Sequence, residues 1–309
     1  MRVGITGGGG FIGANLSKHL VSRGIEVSVL DNLSTGSLSN LEGTVVDFVE
    51  GSILDEAAVE KALASVDAIV HLAAVPSVPR SIKDPVTSHD VNATGTLKIL
   101  EAARNRNVHV IVASSSSVYG ANPVLPKTED LRPLPVSPYA VSKLAAEAYA
   151  IAYQRCYGLP TLAFRFFNVY GPLQTPGHAY AAVVPAFVHA ALLGNPLTVH
   201  GDGRQTRDFT YVGTVVATIA DAVERRVSSP DPVNLAFGTR HSLLEVAGRL
   251  GDQLEREILL KHVATRPGDV RDSQADSSRL RLLFPSVLPI ALDHGLSETI
   301  RWMQTLVDV

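Results

Sequence analysis

The chain has 309 residues, 46% hydrophobic and 18% charged, the profile of a globular protein with one large α/β domain or a large domain and a smaller lobe. A net charge of −3 gives no basic field for nucleic acid or anionic lipid, so neither partner is expected. A single cysteine, Cys156, excludes a disulfide framework and a thiolate metal site; it is read as inert packing in a helix, and no metal is expected.

The N-terminus runs into a strand at once (Val3 to Thr6), which leaves no room for a signal peptide. A helix over Phe11 to Arg23, ended by Gly24, follows a glycine-rich turn. Strands are predicted at Val27 to Leu30 and Val45 to Val49, a helix at Ala57 to Ala64, a strand at Ala68 to His71, and a long helix at Val91 to Arg106. Val110 to Ala113 is the fifth strand and delivers a serine run, Ser114 to Ser117. A proline-rich loop, Pro123 to Pro138, leads to a helix over Tyr139 to Tyr157 closed by Gly158, then a strand at Leu162 to Phe167. Strands alternating with helices predict a doubly wound parallel sheet of the Rossmann type. After Gly171 the pattern predicts long loops, scattered short helices and short strands, a smaller C-terminal α/β lobe. The longest apolar stretch, Ala179 to Leu193, is broken by Pro185 and His189 and is too short to span a bilayer. A cytoplasmic protein is expected.

Two sets of residues carry chemistry. In Thr6-Gly7-Gly8-Gly9-Gly10-Phe11-Ile12-Gly13 the glycines follow a strand and open a helix, so backbone N–H groups can approach a pyrophosphate at the helix N-terminus. Asp31 ends the second strand, where a carboxylate accepts hydrogen bonds from an adenosine ribose and repels a 2′-phosphate, favouring NAD over NADP. The competing reading of Asp31 is a turn cap in Asp31-Asn32-Leu33-Ser34. The second set is Tyr139 and Lys143, one helical turn apart and facing the same side. An ammonium beside a phenol is expected to lower its pKa, making a base for an alcohol whose hydride leaves to a nicotinamide. A serine at the end of the fifth strand would hold the substrate oxygen. The bland alternative is a surface Tyr and Lys on an amphipathic helix.

The glycine turn, His71-Leu72-Ala73-Ala74, Ser114-Ser115-Ser116-Ser117-Val118-Tyr119-Gly120 and Pro138-Tyr139-Ala140-Val141-Ser142-Lys143 together resemble the extended short-chain dehydrogenases, in the nucleotide-sugar epimerase/dehydratase branch. The likeness continues through Arg165 to Pro172, Gly201 to Phe209, and Arg266-Pro267-Gly268-Asp269. It implies an NAD-binding domain over residues 1–170, with segments returning from about 205–240, and a mainly UDP-sugar-binding lobe over 171–309. By position it implies Ser115, Tyr139 and Lys143 as the catalytic set. Contacts to NAD are implied for Gly7, Gly10, Phe11, Ile12, Asp31, Asn32, Ser34, Gly36, Ser52, Ile53, Leu72, Ala73 and Ala74, and again for Tyr139 and Lys143. Contacts to the UDP-sugar are implied for Ser115, Ser116, Asn168, Val184, Arg207, Arg266, Asp269 and Ser273, the two arginines clamping the pyrophosphate. Read alone, Arg207 would pair with Asp208 or Asp202, and Arg266 with Asp269. The chain departs from the family at Gly51-Ser52, where an Asp beside the adenine is usual. A homodimer is implied, with helices near 91–106 and 139–157 forming a four-helix bundle.

The dehydratases that resemble this chain carry an Asp-Glu pair where Ser116-Ser117 stands, and the UDP-glucuronate decarboxylases carry Glu in place of Ser117. With neither acid present, the resemblance implies 4-epimerisation through a 4-keto sugar. A small residue at Ser273, where a Tyr restricts the pocket to plain hexoses, implies UDP-GlcNAc/UDP-GalNAc, with UDP-Glc/UDP-Gal also accepted. The alternatives are UDP-glucuronate, although those enzymes tend to carry Thr where Asn168 stands, or a modified UDP-sugar of a natural-product pathway. A non-catalytic NAD-binding regulator would lack the Tyr/Lys pair, and a net ketoreductase would consume its cofactor stoichiometrically.

Overall fold

A computed structural model describes residues 1–176, 182–265 and 271–307. The first half runs β1 (Arg2–Thr6), α1 (Phe11–Ser22), β2 (Glu26–Asp31), β3 (Asp47–Glu50), α2 (Glu56–Leu63), β4 (Ala68–His71), α3 (Val78–Lys83), α4 (Pro85–His89), α5 (Gly95–Arg104), β5 (His109–Ser115), α6 (Pro138–Tyr157) and β6 (Thr161–Phe166). The second half adds β7 (Asn168–Tyr170), α7 (Val183–Leu192), β8 (Leu197–His200), β9 (Thr206–Arg207), β10 (Phe209–Tyr211), α8 (Val212–Glu224), β11 (Val233–Leu235), β12 (His241–Ser242), α9 (Leu243–Leu254), β13 (Leu260–Val263), α10 (Ser278–Leu283) and α11 (Leu292–Val307).

Seven parallel strands form the central sheet in the order β11-β6-β5-β4-β1-β2-β3. The order reverses between β1 and β4, which opens a crevice at the carboxyl ends of those strands, the place where open α/β sheets bind ligands. Both faces are covered: β4 and β6 are buried at every position, as a parallel sheet requires. One face packs Val3, Ile5, Val29 and Phe164 against α1 and α8 through Leu16, Leu20, Val215 and Ile219. The other packs Ile69, Val110 and Val112 against α2, α5 and α6 through Leu63, Ile99, Leu100 and Ala150. A separate core joins α7, α9 and α11 to β8 through Phe187, Val199, Val246, Leu250, Leu296 and Met303. No helix among the described residues is long and apolar enough to cross a membrane.

The predicted strands and helices up to Phe167 are present with ends shifted by one or two residues, except for the helix expected at Val91. That helix starts earlier, at Pro85, where Asp84 caps it by accepting from the Thr87 N–H and proline occupies the first turn. It continues through a π-type turn, Asp90–Thr94, into α5. The stretch after Gly171 is more regular than its sequence suggests: α8, α9 and α11 have 13, 12 and 16 residues. α8 is buried almost all round and so shows little amphipathic period, and short strands separate it from the helices that follow; α9 even carries a complete capping box at Ser242 and Glu245. Cys156 is exposed rather than packed: it stands in the last turn of α6, where Arg155 to Gly158 are all exposed.

Candidate active site

β1 ends at Thr6 and the chain turns at once. Gly7 has φ of +75°, and a Cβ there would stand 2.7 Å from the Ala73 nitrogen, so only glycine fits both the turn and its neighbour. α1 begins at Gly10 with no side-chain cap, and Gly7, Gly10, Phe11, Ile12 and Gly13 all line one cleft. The first N–H groups of an uncapped helix, together with its dipole, suit a pyrophosphate there. Asp31, 8% exposed, also lines the cleft and accepts from Gly9 N (2.8 Å) and Leu33 N (2.8 Å). The turn-cap reading of this residue is thus seen directly, and the same carboxylate also faces the cleft.

The cleft encloses about 1400 Å³. A pocket for one small ligand occupies roughly 300–1,000 Å³, so this one has room for a dinucleotide and a second ligand. Every residue expected to contact a cofactor lines it: the five above that carry the turn and ribose (Gly7, Gly10, Phe11, Ile12, Asp31), then Asn32, Ser34, Gly36, Ser52, Ile53, Leu72, Ala73, Ala74, Tyr139 and Lys143. So do Ser115, Asn168, Val184 and Arg207 of the expected substrate set. Ser116, which opens the turn after β5, and Ser273 are not among the cleft-lining residues; Ser273 is half-buried, with its backbone N–H bonded to Thr206 O at 3.1 Å. Arg266 and Asp269 lie outside the described residues, as does the segment 177–181.

β5 and α6 set the reactive groups. Ser137 caps α6 by accepting from the Ala140 N–H, proline takes the first helical position, and Tyr139 and Lys143 follow one turn apart. Both are buried. The expectation that Lys143 lowers the Tyr139 phenol does not hold in this structure. Burial pushes that phenol up, and a hydrogen bond with Ser115 pulls it part of the way back. Lys143 spends a donor on the Ala113 carbonyl at 2.9 Å, and burial lowers its own pKa to about 8. Ser115 and Tyr139 thus form a hydroxyl pair at the end of β5, with a partly destabilised cation beside them.

Around this set lie buried polar residues to which no role was given from sequence. Glu147, one turn beyond Lys143, accepts from Ser114 Oγ (2.7 Å) and from Arg165 through two bonds, Nε at 2.9 Å and Nη2 at 2.6 Å. Arg165 stacks over Tyr119, whose hydroxyl donates to Asn234 Oδ1 at 2.7 Å. The charge-assisted fork locks β5, α6, β6 and β11 at the catalytic end of the sheet. The i, i+4, i+8 spacing of Tyr139, Lys143 and Glu147 is the signal that could have found it.

On the far side of the cleft, β7 pairs with β10, and Asn168 bonds the Asp208 carbonyl through its backbone N–H (3.2 Å) and Nδ2 (3.3 Å). The buried Asp208 carboxylate accepts from Ala275 N (3.0 Å) and Thr239 Oγ1 (3.2 Å); burial raises its pKa to about 6 against these bonds. Arg207 donates to the Thr206 and Arg271 carbonyls (2.9 and 3.1 Å), and the carboxylate of Asp202 pairs with Arg271. Arg207 lines the cleft on this side.

Comparison with known proteins agrees with this geometry. Residues 3–236 match the NAD dependent epimerase/dehydratase family. The chain is 37% identical to a UDP-glucose 4-epimerase of Mycolicibacterium smegmatis, over 98% of this chain and 99% of that one. It is 32% identical to a UDP-N-acetyl-alpha-D-glucosaminuronate decarboxylase of Bacillus cytotoxicus, over 98% and 97% of the two chains. Its fold superposes, with a TM-score of 0.93 and 36% identity over 99% and 98% of the chains, on a UDP-N-acetylglucosamine 4-epimerase from Methanobrevibacter ruminantium in complex with UDP-N-acetylmuramic acid. The chain is thus an enzyme of the NAD-dependent epimerase/dehydratase family.

Proposed function

We propose that this enzyme interconverts the C4 epimers of a UDP-hexose. The observation that carries this reading is one cleft lined by the glycine turn and by Ser115, Tyr139 and Lys143, with no carboxylate next to them among the described residues that line it. Among the described residues lining the cleft the carboxylates are Asp31, the last residue of β2, and Glu42, in the stretch that follows it. Elimination of water across C5 and C6, or loss of a carboxyl group, calls for an acid near the sugar, and Ser116-Ser117 stand where such acids are found in the resembling enzymes.

In this reading Gly7, Gly10, Phe11 and Ile12 hold the cofactor's pyrophosphate, Asp31 with Asn32, Ser34 and Gly36 the adenosine ribose side, and Ser52 and Ile53 the adenine. Leu72, Ala73 and Ala74 wall the nicotinamide side. The NAD these residues would hold would supply a reversible hydride acceptor for sugar C4. Tyr139 takes the proton of the C4 hydroxyl and returns it after the keto sugar has turned, and Ser115 holds that oxygen in both orientations. Tyr139 can serve as that base only as the phenolate, so its own proton must first leave to solvent; burial opposes that loss, the Ser115 hydrogen bond favours it, and the nearby Lys143 ammonium would favour the charged form further. Arg207 anchors the diphosphate so that only the sugar swings, with Asn168 and Val184 beside it; Arg266 and Asp269, assigned to the same ligand from sequence, lie outside the described residues. The small Ser273 supports a 2-acetamido hexose, UDP-GlcNAc or UDP-GalNAc, with UDP-Glc and UDP-Gal also accepted. Two such chains are proposed to pair through α6 and the neighbouring short helices, where Ile82, Val86 and Val141 are 65%, 68% and 51% exposed.

The test is to incubate the purified protein, without added cofactor, with UDP-GlcNAc, UDP-Glc and UDP-GlcA separately and to follow each by proton NMR. The C4 epimer of UDP-GlcNAc is the expected product. Conversion of UDP-GlcA alone would overturn the acetamido reading, and a dehydrated or decarboxylated product would overturn epimerisation.

A further inference from the structure

His71 ends β4, is buried, and has both ring nitrogens engaged: Nδ1 with Thr6 Oγ1 at 2.7 Å and Nε2 with Thr96 Oγ1 at 2.9 Å. The proton positions follow from the partners. The Thr96 hydroxyl donates its one hydrogen to the Asn92 carbonyl (2.6 Å), so toward His71 it can only accept. Nε2 therefore carries the proton. A neutral ring then accepts at Nδ1, so the Thr6 hydroxyl donates to it, and Thr6 Oγ1 in turn accepts from the Ala73 N–H (3.3 Å). Each member of this line is satisfied in one direction only.

The ends of the line lie at the two halves of the chemistry. Thr6 immediately precedes Gly7, and Ala73 is the residue against which Gly7 packs. Asn92, in the π-type turn, accepts from Val75 N (2.7 Å) at Oδ1 and donates from Nδ2 to Val75 O (3.2 Å) and Ser142 Oγ (3.0 Å). Ser142 lies between Tyr139 and Lys143 on α6 and donates to the Tyr139 carbonyl at 2.8 Å. An unbroken set of hydrogen bonds thus runs from the glycine turn, through His71 and the wall at Ala73 to Val75, to the helix that carries the base.

We propose that His71, as the neutral Nε2–H tautomer, is a positioning residue that sets the phosphate-binding turn and the catalytic helix in register. A ring protonated at both nitrogens would offer Thr6 a donor where an acceptor is needed and would stand in the field of the Lys143 ammonium, so the line forms with one tautomer alone. The proposal rests on the assignment of NAD to the cleft and of Tyr139 as the base. Affinity for NAD is therefore measured on cofactor-stripped protein, where it is independent of the sugar chemistry.

His71→Leu removes both bonds, His71→Asn keeps an acceptor for Thr6, and His71→Gln keeps a donor toward Thr96. For His71→Leu the expected result is NAD binding weakened about tenfold or more and kcat lowered by about ten- to a hundredfold, with KM for the UDP-sugar unchanged. His71→Asn should restore most of the NAD affinity and His71→Gln most of kcat. A merely structural histidine would lower the melting temperature of His71→Leu and leave NAD affinity and kcat as they were, which would overturn the proposal. If the variants do not fold, nitrogen-15 NMR of the unaltered enzyme still decides: a proton on Nε2 alone is expected, and a proton on Nδ1 would refute the line.

Discussion

The two walls of the cleft are built on different principles. The nucleotide wall is made of strand ends in register: β1, β2, β4 and β5 each deliver their last residues, Thr6, Asp31, His71 and Ser115, to one edge of a continuous parallel sheet. The sugar wall is made of two-stranded pairings, β7 with β10 and β12 with β9, cross-braced by side chains such as Asp208. A strand end in a seven-stranded sheet cannot move without its neighbours, whereas a two-stranded pair is held by few bonds. In the proposed function the constant part of the reaction falls on the rigid sheet and the choice of sugar on the looser pairings opposite, as binding loops on a rigid scaffold would have it.

The contrast can be broken most sharply at Tyr139. Tyr139→Phe should lower kcat by about 10²- to 10⁴-fold while NAD content and thermal unfolding stay unchanged, since only the hydroxyl is lost. Calorimetry and cofactor extraction on the variant check this. Next in size is the lock behind the sheet edge. Glu147→Ala strands Arg165 as a buried unpaired cation and should cost about 3–5 kcal/mol of stability in denaturant titration. The corresponding change on the sugar wall, Asp208→Asn, keeps an acceptor and should cost less, about 1–2 kcal/mol.

Acid should act on the two walls with opposite sign. His71, lowered to about 3 in the folded chain from 6.5, leaves the unfolded chain to bind the proton in between. Its stabilisation is complete above pH 6.5 and is lost as pH falls toward 3, roughly 3–5 kcal/mol over the window. Asp208, raised to about 6 from 3.8, takes up its proton first in the folded chain and so favours folding as pH falls through that range. Unfolding free energies at several values between pH 7.5 and 5 should decline in the parent protein, decline less in His71→Gln, and decline more in Asp208→Asn. The smallest expected effect is in specificity: Ser273→Tyr should lower kcat/KM about tenfold more for UDP-GlcNAc than for UDP-Glc. Equal losses would remove Ser273 from the account.

Most of the nucleotide wall was legible in the sequence because it depends on local signals. Glycines between a strand and a helix, an acid at the next strand end and a Tyr/Lys pair one turn apart are each a few residues long. The sign of the Tyr139 shift was not legible, since it depends on burial that only packing creates. Nor was the hydrogen-bond line through His71, whose partners Thr6 and Thr96 are 65 and 25 residues away in sequence. After Gly171 only short helices were expected; α8, which covers the central sheet, and α9 and α11, which build the lobe core, are longer, and the short strands and turns between them obscured that length. Ser273 shows the limit of a one-residue argument: its size is read from the chain, but it is not among the residues that line the cleft.

The central claim is that hydrogen leaves C4 of the sugar and returns to the same carbon within one closed cycle. The most direct measurement uses UDP-GlcNAc carrying deuterium at C4, incubated with the enzyme in ordinary water without added cofactor. The account predicts that the label stays at C4 in both epimers while they interconvert. Loss of the label to solvent, or turnover only with a stoichiometric supply of nicotinamide cofactor, would contradict it.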